Sequence, residues 1–132
     1  MPNVSQHLDK VRSNKNMLSH LGDAKTTLFP DWFATVSFYI SLHCVEAILC
    51  QEVGLHTTNH TEREEKLRKR LPAIAPKFLT AYRTLYVRSC QARYMIDRKF
   101  QMTNKDCEAA LVDLEVIESE CKEMYFENYP NP

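Results

Sequence analysis

Apolar residues recur at spacings of three and four along most of the chain, and no stretch alternates apolar and polar long enough to read as a strand. Val4, Leu8, Val11, Leu18 and Leu21 make a first helical stripe with a gap at Lys15, stopped by Gly22. Pro30-Asp31-Trp32 opens a second helix, because proline suits a first turn and an early acid suits the positive end of the helix dipole. That helix is expected to reach Val53, with Gly54 as terminator. It carries a core stripe of Phe38, Leu42, Val45 and Leu49, and beside it a second stripe of Tyr39, His43, Glu46 and Cys50.

A loop around His56 leads to a short third helix, for which Thr61 and Glu64 have the spacing of a reciprocal cap; Pro72 and Pro76 bracket its end. A long fourth helix is predicted from Lys77 to Phe100, with Phe78, Leu85, Ala92 and Ile96 on one face and Tyr82, Tyr86 and Arg93 beside them. Thr103 and Asp106 begin a fifth, whose apolar face is Cys107, Ala110, Leu111, Leu114, Ile117 and Cys121. The tail from Tyr125 to Pro132 reads as irregular. The pattern predicts one all-α domain over residues 1–132, an up-and-down four-helix bundle with an additional short helix.

Composition sharpens this in three ways. With only 2 glycines in 132 residues, glycine-rich phosphate loops and turn-dense β folds are disfavoured. The 5 cysteines are odd in number and form no CxxC pair, so they read as free thiols in a reducing compartment. The N-terminus has no basic start leading into an apolar run, and Phe38–Cys50 is interrupted by His43 and Glu46, so a cytoplasmic protein is expected. Net charge is zero but unevenly spread. Residues 62–105 carry 12 basic and 4 acidic side chains, whereas 106–132 carry 1 basic and 8 acidic. This is either a pair of solvated faces or a basic surface for phosphate.

Candidate chemistry is sparse. No complete metal-ligand set is visible: His56 and His60 lie on a loop, and His43-x-x-Glu46 lacks the further carboxylates and histidine of a di-metal bundle. No cofactor motif is present. His43 and Cys44 are neighbours on a helix and point about 100° apart, which prevents a thiolate–imidazole pair. What remains is a polar cleft between the second and fourth helices. Tyr39, His43 and Glu46 would stand on one wall, Tyr86, Arg93 and Tyr94 on the other, and His60 and Arg63 at the mouth. Arginine and tyrosine together can clamp a phosphate and stack a base. The competing expectation is that Glu46 simply neutralises Arg93.

The same residues resemble a HEPN domain, a family of nucleotide-associated helical proteins. The resemblance rests on Asp31-Trp32, on Phe38-Tyr39-x-x-x-His43-x-x-Glu46-Ala47, on Asn59-His60-x-x-Arg63 and on Arg88-x-x-x-Ala92-Arg93-Tyr94, in that order over about half the chain. It implies a helical bundle, often a homodimer, with roles in RNA cleavage, nucleotide binding or toxin–antitoxin and defence systems. Ribonuclease members carry Arg, four to six residues, then His, and that order does not occur here: Arg12 and His20 are separated by seven residues, and every other arginine follows the last histidine. The implied function is thus a non-catalytic binding or adaptor module for a nucleotide, RNA or protein partner. The alternatives are a ribonuclease with His43 or His60 as base and Arg63 or Arg93 on the phosphate, and a structural homodimer favoured by the tail aromatics Tyr125, Phe126 and Tyr129.

Overall fold

Each helix boundary has a local cause. In the computed structural model, which describes residues 2–71, 74–94 and 101–130, α1 spans Val4–His20. Its cap is Asn3, whose side chain accepts from the Gln6 N–H while Gln6 returns a bond to the Asn3 N–H. The long α2 runs Pro30–Val53 as expected, and Gly54 closes it at φ 65°, a left-handed conformation that favours glycine. The third helix, α3, covers His60–Arg70 and begins two residues earlier than the Thr61–Glu64 cap implies. Asn59 is the cap, accepting from the Glu62 N–H at 2.8 Å. Helix α4 is described over Pro76–Tyr94; its expected continuation to Phe100 lies outside the described residues. The Thr103–Asp106 capping box opens α5, Asn104–Glu120, as its spacing predicts. An unforeseen π-helical turn, Cys121–Tyr125, follows it.

Side-chain pairings fix the directions. Leu18 and Leu21 pack near Phe33 while His7 meets His43, so α1 runs antiparallel to α2. Tyr82 meets Phe38 and Arg93 meets Tyr39, with Arg63 bridging Tyr82 to Glu46, so α4 also opposes α2. Arg88 bonds Asp113, and Lys15 bonds Glu118, which ties α5 to both α4 and α1. The result is an all-α up-and-down bundle with α3 as the extra short helix.

Helix α2 is the axle of this bundle. From Phe33 to Leu49 only Tyr39, Leu42 and His43 are not buried. Leu42, expected at the centre of the core stripe, is only half-buried, because it shares with Tyr39 and His43 the one face of α2 that the other helices leave partly uncovered. Ser37 and Ser41 are tolerated inside because their hydroxyls donate to the carbonyls of Phe33 and Phe38. By length and composition Pro30–Val53 is apolar enough to cross a membrane, which reading Phe38–Cys50 alone does not reveal. Inside this fold, 78% of its most apolar window is covered by the other helices.

The tail is irregular but docked. Phe126 and Tyr129 are buried against the bundle core. The Tyr129 hydroxyl donates to Glu118 at 2.6 Å and lies 3.4 Å from Cys44 Sγ, and Lys15 donates to Glu118 and to the Pro130 carbonyl. These two aromatics are satisfied within the chain, so they offer no reason to expect a second copy. Truncating such an aromatic removes a large buried contact, so Tyr129→Ala is expected to cost about 3–5 kcal/mol in urea unfolding. A loss below about 1 kcal/mol would show the tail to be undocked in solution.

Candidate functional site

The most demanding group in the bundle is Glu46, a carboxylate 1% exposed in the middle of α2. Three donors from outside α2 reach it. Arg63 Nε donates to Oε1 at 2.7 Å, the Thr57 hydroxyl also donates to Oε1, and the Thr57 N–H donates to Oε2 at 3.2 Å. Burial alone would raise the pKa of Glu46, but the Thr57 and Arg63 hydrogen bonds and the Arg63 charge hold it below the ordinary value. Arg63 is itself 6% exposed, and its Nη1 donates to the Tyr82 hydroxyl at 3.3 Å. The chain of contacts continues outward: His60 Nδ1 is 3.2 Å from the Tyr82 hydroxyl, its Nε2 is 3.2 Å from Glu64, and its ring stacks on Tyr86 with centroids 3.4 Å apart. Glu64 also takes a hydrogen bond from Arg83.

On its other side Glu46 faces histidines. His56 Nδ1 lies 3.4 Å from Glu46 Oε2, outside hydrogen-bonding geometry, and the His7 ring stacks against His56 at 5.7 Å. His7 Nδ1 is 3.1 Å from His43 Nδ1, so one of these two rings donates to the other. Desolvation by burial lowers the pKa of His7. It also lowers that of His43, to about 4, with His7, Lys10 and Arg63 adding to the effect and Glu46 opposing it. An open groove of about 650 Å³ runs along this face, lined by Pro2, Gln6, His7, Asp9, Lys10, Ser13 and His43.

The single cleft expected from the sequence is therefore three separate places. Tyr39, Arg93 and Tyr94 do come together, on the surface at the N-terminal half of α2. Arg93 Nη1 donates to the Tyr39 hydroxyl at 3.1 Å, and the guanidinium lies 5.6 Å and 4.9 Å from the Tyr39 and Tyr94 ring centres. Two bonds to Ser89, from Nε to the carbonyl and from Nη2 to the hydroxyl, hold it there. Glu46, Arg63 and His60 belong to the interior network instead, and the partner of Glu46 is Arg63, not Arg93. His43 turns away from both, toward α1, and Arg88 pairs with Asp113 on α5 at 3.2 Å. The reason is angular. Tyr39 and His43 are four residues apart on a helix enclosed on several sides, so a small difference in azimuth sends one to α4 and the other to α1.

Sequence reasoning missed His7, His56, Thr57 and Tyr82 as members of the network. His7 had a signal: it sits between Val4 and Val11 at core spacing, and α1 buries it beside Leu8. His56 and Thr57 had none, because a loop of this kind has no periodicity from which a direction could be read. No family model, curated protein or solved structure matches this chain.

Two outcomes follow. Arg63→Ala strands a buried carboxylate and is expected to cost about 3–5 kcal/mol, with Glu46→Leu/Arg63→Met recovering most of it. Arg93→Ala, at the surface, should cost less than about 1 kcal/mol; urea denaturation of the three variants decides between these assignments. Acid titration provides the second outcome. The unfolded chain protonates His43 near its ordinary 6.5, whereas the folded chain resists until about 4. The unfolded state therefore binds more protons in that window, and stability falls as pH drops from 6.5 to about 4. A His43→Asn variant should show a flatter melting-temperature profile over the same range.

Proposed function

We propose that the protein is a non-catalytic binding module that holds a nucleotide or a single-stranded RNA segment on the Tyr39–Arg93–Tyr94 surface. The observation that carries this reading is the guanidinium of Arg93 fixed over two tyrosine rings at the protein surface, with Tyr94 68% exposed. Arginine presents a fork of donors to a phosphate, and exposed aromatic faces accept any base. Trp32, also exposed, extends the surface around a shallow pocket of about 280 Å³ lined by Asp31, Trp32, Thr35, Ala92 and Arg93. Asp31 there is an acceptor suited to ribose hydroxyls, which DNA lacks at the 2′ position. The basic excess of residues 62–105 is partly neutralised by carboxylate partners, of Arg63 and Arg88 within the fold and of Lys69 and Arg83 at the surface. Its remainder favours approach of a polyanion to the α3–α4 side. The resemblance to HEPN domains points to the same ligand class, and the missing Arg-then-His order is why the proposal stops at binding.

Fluorescence anisotropy with a labelled single-stranded RNA, and with a labelled adenine nucleotide, tests it. Arg93→Ala and Tyr39→Ala should each weaken binding about 5- to 100-fold while leaving the melting temperature nearly unchanged. Affinity for RNA should fall with added salt. Absence of binding to either probe, or binding indifferent to both substitutions, overturns the proposal. RNA cleavage that disappears in His43→Ala or His60→Ala would replace it with a ribonuclease.

A further inference from the structure

The histidine side of Glu46 remains without a role in that reading, and its geometry has a property of its own. His7 from α1, Glu46 from α2 and His56 from the loop after Gly54 each offer one ligand atom, and these atoms lie within 4.8 Å of one another. We propose that His7, Glu46 and His56 form a binding site for one divalent transition-metal ion of the zinc type.

Two orphaned atoms motivate this. His7 Nε2 and His56 Nδ1 are buried and have no hydrogen-bond partner among the described residues. A buried polar atom without a partner is costly, and native proteins rarely keep two side by side unless something else satisfies them. His7 is 4% exposed, so bulk water does not do so freely.

The His7–His43 contact is compatible with the tautomer a ligand needs: with His7 donating from Nδ1 to His43, its Nε2 is unprotonated and free to bind a cation beside Glu46 and His56. Without a cation that lone pair would face the Glu46 carboxylate, so the ion itself selects this tautomer. His43 is then the positioning residue that fixes the ring and tautomer of a ligating histidine, as metal sites commonly require.

The distances suit the ion. Tetrahedral zinc with bonds of about 2.0–2.1 Å places its ligand atoms about 3.3 Å apart. His56 Nδ1 and Glu46 Oε2 are already 3.4 Å apart. A metal would turn that poorly aligned contact into two good bonds to one cation. The remaining pairs lie within 4.8 Å and would close by at most about 1.5 Å on binding. Arg63 and the Thr57 hydroxyl occupy the other oxygen, Oε1, so they orient the carboxylate without blocking it. Oε2 accepts from the Thr57 N–H and retains acceptor capacity. Two neutral imidazoles and one carboxylate make a donor set common to zinc and other first-row metals. Three protein ligands leave a fourth position for a water or other small ligand taken up with the ion; the groove lined by His7 and His43 passes beside one of the three.

The test uses the full chain, stripped with a chelator and titrated with zinc, followed by calorimetry and by thermal unfolding. One zinc per chain and a raised melting temperature are expected, since an ion held only by the folded state stabilises it. His56→Ala should lower affinity more than about 100-fold and His43→Ala about 10- to 100-fold, whereas His20→Ala, an exposed histidine elsewhere, should change nothing. His56 is on a loop, so His56→Ala separates lost binding from lost folding even where His7→Ala and Glu46→Gln destabilise the bundle. The five free thiols are the competing ligands, and cobalt substitution distinguishes them. A spectrum without sulfur-to-metal charge-transfer bands supports the site. Thiolate bands, no binding, or zinc affinity unchanged in His56→Ala overturn it.

Discussion

The buried pair of Glu46 and Arg63 constrains this structure more than any other contact. A carboxylate at the centre of an enclosed helix is tolerable only if its charge and both its oxygens are answered. Arg63 and Thr57 answer them from α3 and from the loop before it. That requirement fixes where the loop after Gly54 crosses α2, and with it the start of α3. The direction of α3 then decides where Tyr82, His60 and Tyr86 stack. Replacing the pair by apolar residues of similar volume would preserve burial but remove this directional constraint, because apolar contact is non-directional while a forked guanidinium is not.

The same arrangement divides the polar groups by environment. Groups near Glu46 are held for structure or for a small ion: they are enclosed and mutually bonded, and burial drives their imidazoles toward neutrality. Groups around Arg93 lie at the surface, where a large planar anion can reach them. The proposed ligand with bases and phosphates and the proposed cation would thus have different addresses on one bundle. The two proposals stand on separate residues, and either can fail without the other.

The thiols follow the same division. Burial, with the nearby Asp106 and Asp31 carboxylates, raises Cys107 to about 11, and the neighbouring Cys44 together with burial raises Cys121 well above the usual thiol range. Neither supplies a thiolate at neutral pH, which agrees with their place in the apolar seams of α5 and of the π-helical turn after it. Their role is packing.

Helix existence and order were written in local terms: the three-and-four spacing of Val4 to Leu21, the proline and glycine at the two ends of α2, and the Thr103–Asp106 box before α5. Such signals act within one turn of backbone, so the chain alone carries them. Where each polar side chain points was a different matter. Nothing in the spacing of Glu46 and Arg93 said that Arg63 would take the carboxylate, or that His43 would turn from α4 to α1 and meet His7. Nor could the loop holding His56 and Thr57 announce that it folds back onto Glu46. These choices depend on the azimuth of α2 among α1, α4 and α5, which is set by how apolar surfaces far apart in the chain fit together, and only the folded bundle decides that.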